Sequence, residues 1–138
     1  MLRQDGAVAA RPCAAVEGGP LALLRVEGAL LFAAGIWAFT ATDEPWWLVP
    51  LLLFVPDVFM AGYAQSARTG AVVYNLAHAF PLPALVGAAA LVTDSSLGQA
   101  VALIWFAHIG MDRAFGYGLK YASDFHDTHL GRIGRTRD

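Results

Sequence analysis

The sequence predicts an all-α integral membrane protein, a four-helix bundle of up-down-up-down topology with a short C-terminal tail outside the membrane. Two observations carry this prediction. The 138 residues are 57% hydrophobic and only 14% charged, and their mean hydropathy of +0.52 is far above that of a typical water-soluble domain. The apolar residues also form four separate stretches, each long enough to cross about 30 Å of hydrocarbon.

The four apolar stretches define the four predicted spans, at residues 21–40, 46–63, 71–92 and 97–115. Within lipid, only a helix or a closed barrel satisfies its own backbone hydrogen bonds, so each span is predicted to be an α-helix. The connections are short, which favours antiparallel neighbours. The polar residues 116–138 follow as a tail.

The first 20 residues are interpreted as a flexible leader. They are rich in Ala, Gly and Pro and contain no uninterrupted apolar block. They also lack the pattern of a signal peptide, in which a basic region directly precedes a short apolar one. The single cysteine, Cys13, permits no internal disulfide.

The distribution of charge predicts the orientation in the membrane. All nine Lys and Arg residues lie before or at the start of the first span, between the second and third spans, or at the end of the fourth span and in the tail. The other two connections contain only Asp43, Glu44 and Asp94. Because Lys and Arg are retained on the cytoplasmic side, we expect a bacterial inner-membrane protein with both termini in the cytoplasm.

The expected partner is therefore the lipid bilayer. The basic residues are explained by topology, and no basic surface interleaved with aromatic residues indicates nucleic-acid binding. Small residues at Gly87, Ala88 and Ala89 would permit close helix contact and a homo-oligomer.

Polar side chains within the predicted spans form a layer near the cytoplasmic end. An ionisable group near the bilayer centre costs about 2.5 to 3.5 kcal/mol, so each one requires a partner or a function. With a rise of about 1.5 Å per residue, most of these groups reach about 5 to 10 Å below the cytoplasmic interface. The layer comprises Glu27, Asp57, Asn75, His78, His108 and Asp112.

Helical spacing pairs several members of this layer. His108 and Asp112 are four residues apart and share one helix face, as two ligands on one helix must. Asn75 and His78, three residues apart, do the same on the third span.

Prolines next to these residues predict breaks in the helices. Pro56 interrupts the second span, and Pro81 and Pro83 follow His78 in the third. Each proline removes a hydrogen bond to the carbonyl four residues earlier, which for Pro81 is that of Ala77. Kinks beside polar side chains favour a pocket.

Imidazoles and carboxylates together are typical ligands of zinc, manganese or iron. We predict that Asp57, His78, His108 and Asp112 bind such a divalent metal and that Glu27 is a catalytic base or a further ligand. A bound cation lowers the pKa of its water to about 7, which would make a nucleophile for hydrolysis.

The tail is predicted to complete this site. Asp127 and His129 are candidate catalytic residues on the same side of the membrane as the layer. The glycines at Gly116, Gly118 and Gly131 would let the tail fold back as a lid.

An anionic substrate group, such as a lipid phosphate, would require donors near the metal. Asn75, Arg113 and Lys120 are the predicted residues for this role.

Six strings of residues resemble the family of small bacterial membrane proteins called domain of unknown function 4260. They are Leu24-Arg25-Val26-Glu27-Gly28, Pro56-Asp57 with Gly62-Tyr63, Tyr74-Asn75-Leu76-Ala77-His78, His108-Ile109-Gly110-Met111-Asp112-Arg113, Gly116-Tyr117-Gly118-Leu119-Lys120-Tyr121 and Asp127-Thr128-His129-Leu130-Gly131. The resemblance covers about residues 23–134. It implies a topology and a set of motifs, and no activity.

The layout is also similar to that of membrane-bound metal-dependent hydrolases induced in the DNA-damage response. These carry a Pro-Asp pair in an apolar helix, a later His, and a His-x-x-x-Asp helix near a Gly-Tyr turn. Pro56, Asp57, His78, His108 and Asp112 would be the corresponding residues, although the His-Arg-Gly-x-Thr-His-Ser string of that group is missing. The similarity implies a hydrolase acting on a lipid or phosphorylated amphiphile at the cytoplasmic leaflet.

Two other functions stay open from the sequence. His78 and His108 would be the axial ligands if the protein bound haem. The acids Glu27, Asp57 and Asp112 would instead line a proton or ion pathway in a non-enzymatic membrane subunit.

Overall fold

The structure, a computed structural model, describes residues 15–134. These residues form helices joined by loops and, in the tail, a small hairpin. The helices are α1 (Gly18–Phe39), α2 (Leu48–Leu53), a 3-10 helix (Val55–Ala64), α3 (Ala67–His78), α4 (Pro81–Val92) and α5 (Ser96–Phe115). The antiparallel strands are β1 (Asp127–Thr128) and β2 (Gly131–Arg132). Most of the predicted leader, including Cys13, lies outside the described residues.

Helix α1 lies along α5 with the two backbones in direct contact. A Cβ atom added to Gly28 would lie 2.7 Å from the carbonyl oxygen of Gly110, and one added to Gly35 would lie 2.9 Å from that of Leu103. As α1 advances from Gly28 to Gly35, its contacts on α5 therefore move backwards along the chain, so the two helices are antiparallel. Glycine at the crossing allows this close approach, which any side chain would block.

The second predicted span is divided into two segments. Helix α2 ends at Leu53, and the 3-10 helix that follows contains Pro56 near its start. The predicted break is confirmed, because proline has no N–H to donate and its ring displaces the carbonyl of Leu52. The 3-10 helix is unusually long for its type, at ten residues. Asp57 lies in its first turn.

The third predicted span is divided in the same way. Helix α3 ends at His78, Ala79 is extended, and α4 begins at Pro81. The carbonyl of Ala77, which Pro81 leaves without a partner, accepts a hydrogen bond of 2.6 Å from the indole N–H of Trp105 on α5. The break is therefore compensated by a side chain of the neighbouring helix.

The apolar core lies at one end of the helices. It is formed by Phe39, Leu48, Ala100 and Ile104, from α1, α2 and α5. Elsewhere, many large apolar side chains point outward. By length and composition, two helical stretches of the described chain could cross a membrane: Gly18–Phe39, and Ala67–Val92 with its break. Within an apolar segment of 18 residues in each stretch, only 11% and 22% of the residues are buried.

The tail turns back onto the other end of the helices. Gly116 ends α5 in the left-handed conformation, with φ of 90°, and a glycine is favoured at that position. The β1–β2 hairpin then pairs Asp127 with Arg132 and Thr128 with Gly131. The sequence analysis did not predict these short strands.

Candidate metal centre

Three helices bring together the four residues that the sequence predicts as metal ligands. Asp57 comes from the first turn of the 3-10 helix, His78 from the last turn of α3, and His108 and Asp112 from one face of α5. One ligand atom from each residue lies within 4.8 Å of the others. We call this group the His/Asp cluster; its metal-binding role stays a prediction.

The distances within the His/Asp cluster are short and nearly equal. The Nε2 atom of His78 lies 3.5 Å from both Asp57 Oδ1 and Asp112 Oδ2. The Nε2 atom of His108 lies 3.6 Å from Asp57 Oδ1 and 3.5 Å from Asp112 Oδ2. The two Nε2 atoms are 3.0 Å apart. Both rings thus point the same nitrogen at the same small volume.

Tyr74 holds two members of the cluster in position. Its backbone carbonyl lies 2.8 Å from Nδ1 of His78, and its ring stacks on the His78 ring with centroids 3.6 Å apart. Its hydroxyl donates to Asp112 Oδ2 at 3.2 Å. Such contacts fix the orientation and the tautomer of a ligating imidazole.

The His/Asp cluster is buried on the helix side and open on the Asp57 side. The exposed fraction of the side chain is 0% for His108, 4% for His78, 13% for Asp112 and 35% for Asp57. Both carboxylates line a cavity of about 360 Å³. The rest of its wall is Met60, Tyr74, Tyr117, Lys120, Phe125 and Ile133. A small molecule in this cavity would therefore meet the cluster at its carboxylates.

The comparison with known families bears on this arrangement. A family model described as domain of unknown function (DUF4260) matches residues 21–133, which is most of the chain. The chain belongs to the DUF4260 family. All four cluster residues and all eight residues of the cavity wall lie within the matched segment. A comparison with curated proteins and with solved structures finds no significant match.

Lys120 is the one predicted anion-binding residue that this DUF4260 chain brings into the cavity wall. Its residue exposure is only 5%, and its Nζ donates to the Phe125 carbonyl at 2.8 Å. Burial lowers the pKa of the Lys120 ammonium, although the nearby carboxylates of Asp112 and Asp124 offset part of this decrease.

The other two predicted anion-binding residues have different contacts. Asn75 donates from Nδ2 to the Lys120 carbonyl at 2.9 Å, and its Oδ1 accepts from the Lys120 N–H at 2.7 Å. The guanidinium of Arg113 lies 4.1 Å from the centre of the Phe80 ring. In the described structure, Asn75 therefore holds the tail backbone, and Arg113 packs on an aromatic ring outside the cavity wall.

The three predicted catalytic residues lie outside the cluster and the cavity wall. Glu27 is exposed on α1, close enough to Arg113 to interact with its charge. Asp127 accepts from Arg132 at 2.6 Å and from Ser123 at 2.8 Å.

His129, the third of these residues, joins the start of the tail, at Leu119, to the β1–β2 hairpin. Its Nδ1 accepts from the Leu119 N–H at 2.8 Å, and its backbone N–H donates to the Leu119 carbonyl at 3.0 Å. Its own carbonyl accepts from the Val16 N–H at 2.9 Å. Burial and the nearby charge of Arg113 lower the pKa of the His129 imidazole.

Sequence reasoning missed two tyrosines of the site. Tyr74 contacts His78 and Asp112, and Tyr117 lines the cavity. The four-residue spacing of Tyr74 and His78 is the signal that could have joined them, since it places both on one face of α3.

Proposed function

We propose that this DUF4260 protein is an integral membrane protein that binds one divalent cation in the His/Asp cluster. We further propose that it uses the cation to hydrolyse a lipid or phosphorylated amphiphile at the cytoplasmic leaflet. One observation carries the proposal. Five of the six ligand-atom separations run from 3.0 to 3.6 Å, and the sixth, between the carboxylates of Asp57 and Asp112, is at most 4.8 Å. A tetrahedral ion with bonds of about 2.1 Å requires about 3.4 Å.

The charges of the cluster also support a cation. Two carboxylates within 4.8 Å of each other repel, and two imidazole Nε2 atoms face them. A divalent cation would neutralise both acids and accept a lone pair from both imidazoles. Zinc, manganese and iron suit this mixture of nitrogen and oxygen ligands.

The outer surface of the helices supports the membrane setting. Several large apolar side chains are more than half exposed, with exposed fractions of 64% for Leu30, 78% for Trp37, 66% for Leu85 and 87% for Val92. In water, apolar surface on this scale would drive aggregation or association, whereas in a bilayer it meets acyl chains. Helix α1, with 22 residues, is about 33 Å long, enough for the hydrocarbon layer.

The charged residues favour the proposed orientation. Arg25, near the start of α1, donates to the carbonyl of Ala114 at the end of α5 at 2.9 Å, so the basic start of α1 and the basic tail share one end. Asp43 and Glu44 follow the other end of α1. The positive end would be cytoplasmic, and the His/Asp cluster is near that end.

Hydrolytic chemistry requires a water ligand in addition to the four protein ligands, and zinc sites can expand to five ligands in this way. Asp57 is the most exposed ligand and faces the cavity, where a water molecule can reach the ion. The cation would lower the pKa of that water to about 7. The water oxygen would form the new bond to phosphorus or a carbonyl carbon, the bond to the leaving oxygen would break, and the proton lost by the water would pass to that leaving oxygen.

The geometry of the two histidines argues against haem. Axial nitrogens on opposite faces of a porphyrin are separated by two metal–nitrogen bonds, about 4 Å in total. The Nε2 atoms of His78 and His108 are 3.0 Å apart, and the carboxylates of Asp57 and Asp112 occupy the space around them.

A proton pathway is the second candidate. The chain of contacts from the Tyr74 hydroxyl to Asp112, and from Asp112 to the two imidazoles, joins four titratable groups at 3.0 to 3.5 Å. Proteoliposomes carrying a pH-sensitive dye would show proton flux that does not depend on metal if this candidate is correct.

The hydrolase proposal is tested by metal reconstitution. The protein, purified in mild detergent and stripped with a chelator, receives zinc, manganese or ferrous iron and then a panel of phosphorylated and ester amphiphiles. Cleavage should require one of the metals, should be abolished in His78→Ala, and should persist in His126→Ala. His126 is a matched control because it lies in the exposed tail and pairs with Asp124. Equal cleavage by the stripped protein, or metal binding without cleavage of any member, would refute hydrolysis.

A further inference from the structure

The Lys120 ammonium is buried in the cavity wall, and among the described residues no carboxylate forms an ion pair with it. Its Nζ lies 3.7 Å from the centre of the Phe125 ring and 4.9 Å from that of Tyr74. It has three N–H donors, of which the Phe125 carbonyl accepts one. The aromatic faces stabilise its positive charge but accept no conventional hydrogen bond. Two donors thus remain for another acceptor.

The backbone of Lys120 is fixed on both sides. Asn75 bonds both its N–H and its carbonyl, and Thr128, itself 1% exposed, pairs with it as an isolated antiparallel bridge. Burying an ammonium costs free energy unless its charge is used or compensated. The fold of the tail therefore fixes the position of Lys120 in the cavity wall.

Tyr74 connects Lys120 to the His/Asp cluster. The ammonium lies over the Tyr74 ring, while the His78 ring stacks on it at 3.6 Å. Asp112, which accepts from the Tyr74 hydroxyl, lines the same cavity as Lys120. The ammonium and the proposed cation site thus share contact with one aromatic ring, that of Tyr74, and share one cavity.

The sum of charges favours an anion in this cavity. A divalent cation would balance the carboxylates of Asp57 and Asp112, and the Lys120 ammonium would then leave one positive charge in the cavity wall. The carboxylate of Asp124, which also acts on Lys120, lies outside that wall and is 45% exposed. A tetrahedral oxyanion has several acceptor oxygens and can contact an ion with one and an ammonium with another. A neutral ester would bring no negative charge to the buried ammonium.

We propose that Lys120 and the cation form a two-point site for a phosphate-type oxyanion, so that the substrate is a phosphate-bearing amphiphile. This inference rests on the proposed metal site and narrows its substrate class. A lipid headgroup and a free phosphate offer the same chemistry, and the experiment separates them.

The test measures binding of inorganic phosphate to the zinc-loaded protein in detergent by isothermal titration calorimetry. Phosphate should bind the metal-loaded wild type and raise its melting temperature. Lys120→Met, which keeps the length of the side chain, should weaken binding about tenfold or more, because a charge-assisted hydrogen bond is lost. Lys120→Arg should retain most of the affinity. Arg68→Met, which removes an exposed cation at the start of α3, should not change it.

The outcomes separate this inference from the proposed function. If the protein binds no metal, the proposed function fails. If metal binds but phosphate does not bind the wild type, or binds Lys120→Met equally well, the phosphate site is refuted and the metal site stands. If Lys120→Arg and Lys120→Met lose the same amount of phosphate affinity while their metal content is unchanged, the role of Lys120 is to pack the cavity wall rather than to bind the anion. Repeating the titration with micelles of phosphatidic acid identifies the source, since tighter binding than free phosphate indicates a lipid headgroup.

Discussion

The Nε2 atoms of His78 and His108 face each other at 3.0 Å, from the end of α3 to the middle of α5. The Nδ1 atom of His78 is 2.8 Å from the Tyr74 carbonyl, which can only accept, so Nδ1 carries the proton. A neutral His78 therefore directs a lone pair at His108. Either His108 donates a proton to it or both nitrogens share one cation. The surrounding carboxylates favour a positively charged species between them.

Tyr74→Phe should weaken metal binding without unfolding the protein. The substitution keeps the ring that stacks on His78 and removes the hydrogen bond of 3.2 Å to Asp112. Loss of such an outer contact typically costs about 10- to 100-fold in metal affinity. Competition with a fluorescent zinc chelator measures the change. Tyr121→Phe, in the exposed part of the tail, is the control, and an equal effect of both variants would contradict the role given to Tyr74.

Gly28→Ala should destabilise the packing of α1 on α5. The new methyl group would lie 2.7 Å from the Gly110 carbonyl oxygen and 2.8 Å from the backbone nitrogen of Ala114, so the helices must separate. Overpacking of this kind costs about 1 to 3 kcal/mol or more, which thermal unfolding in detergent would detect as a lower midpoint. Gly19→Ala is the matched control on the same helix, because nothing lies within 4 Å of its added Cβ. Unchanged stability in Gly28→Ala would show that the two backbones are not in contact.

Acidification should weaken the contact between His129 and Leu119 in the tail. Its Nδ1 accepts from the Leu119 N–H and cannot do so when protonated, and burial lowers its pKa in the folded protein. In the unfolded chain, His129 has a pKa of about 6.5 and therefore binds a proton more readily than in the folded protein. The contribution of His129 to the free energy of unfolding is therefore fully present above about pH 6.5. This contribution is lost as the pH falls below about 6.5 toward the lower pKa of the folded protein.

Hydrogen exchange of the tail amides, corrected for the intrinsic rate, measures this effect between pH 7.5 and pH 5. His129→Asn keeps an acceptor for Leu119 and does not titrate. Its tail should lose less protection on acidification than the wild type. A parallel response in the two proteins would exclude His129 as the titrating group.

That the four residues of the His/Asp cluster lie together could be predicted from helical spacing and from their depth in the predicted spans. Helical spacing put His108 and Asp112 on one face, and depth in the spans put His78 and Asp57 at the same level. The breaks at Pro56 and Pro81 were also predictable, because the lost hydrogen bonds follow from covalent structure. The hydrogen bond from Trp105 to the Ala77 carbonyl could not be predicted, because it depends on which residues of α5 face the break between α3 and α4.

The role of Glu27 could not be judged from the sequence. Helix α1 is apolar on all sides, so no periodicity indicates which face packs against the other helices. The structure turns Gly28 toward α5, and its neighbour Glu27 lies about 100° further round the helix, on the exposed surface.

The contacts of the tail were beyond sequence reasoning for a different reason. Asn75 holds Lys120, and His129 holds Leu119, through backbone N–H and carbonyl groups. Every residue type except proline offers the same backbone groups, so such pairings leave no pattern in the sequence. The sequence therefore could not show whether the Asn75 side chain binds an anion or holds the backbone of the tail.

Metal content tests the central claim most directly. The protein, expressed with trace metals and purified from membranes without chelator, is analysed by inductively coupled plasma mass spectrometry alongside His108→Ala and His126→Ala. The account predicts about one transition-metal ion per chain in the wild type and in His126→Ala, and a loss of most of that metal in His108→Ala, which removes one of the four ligands. A wild type without transition metal, or equal metal in all three proteins, would contradict it.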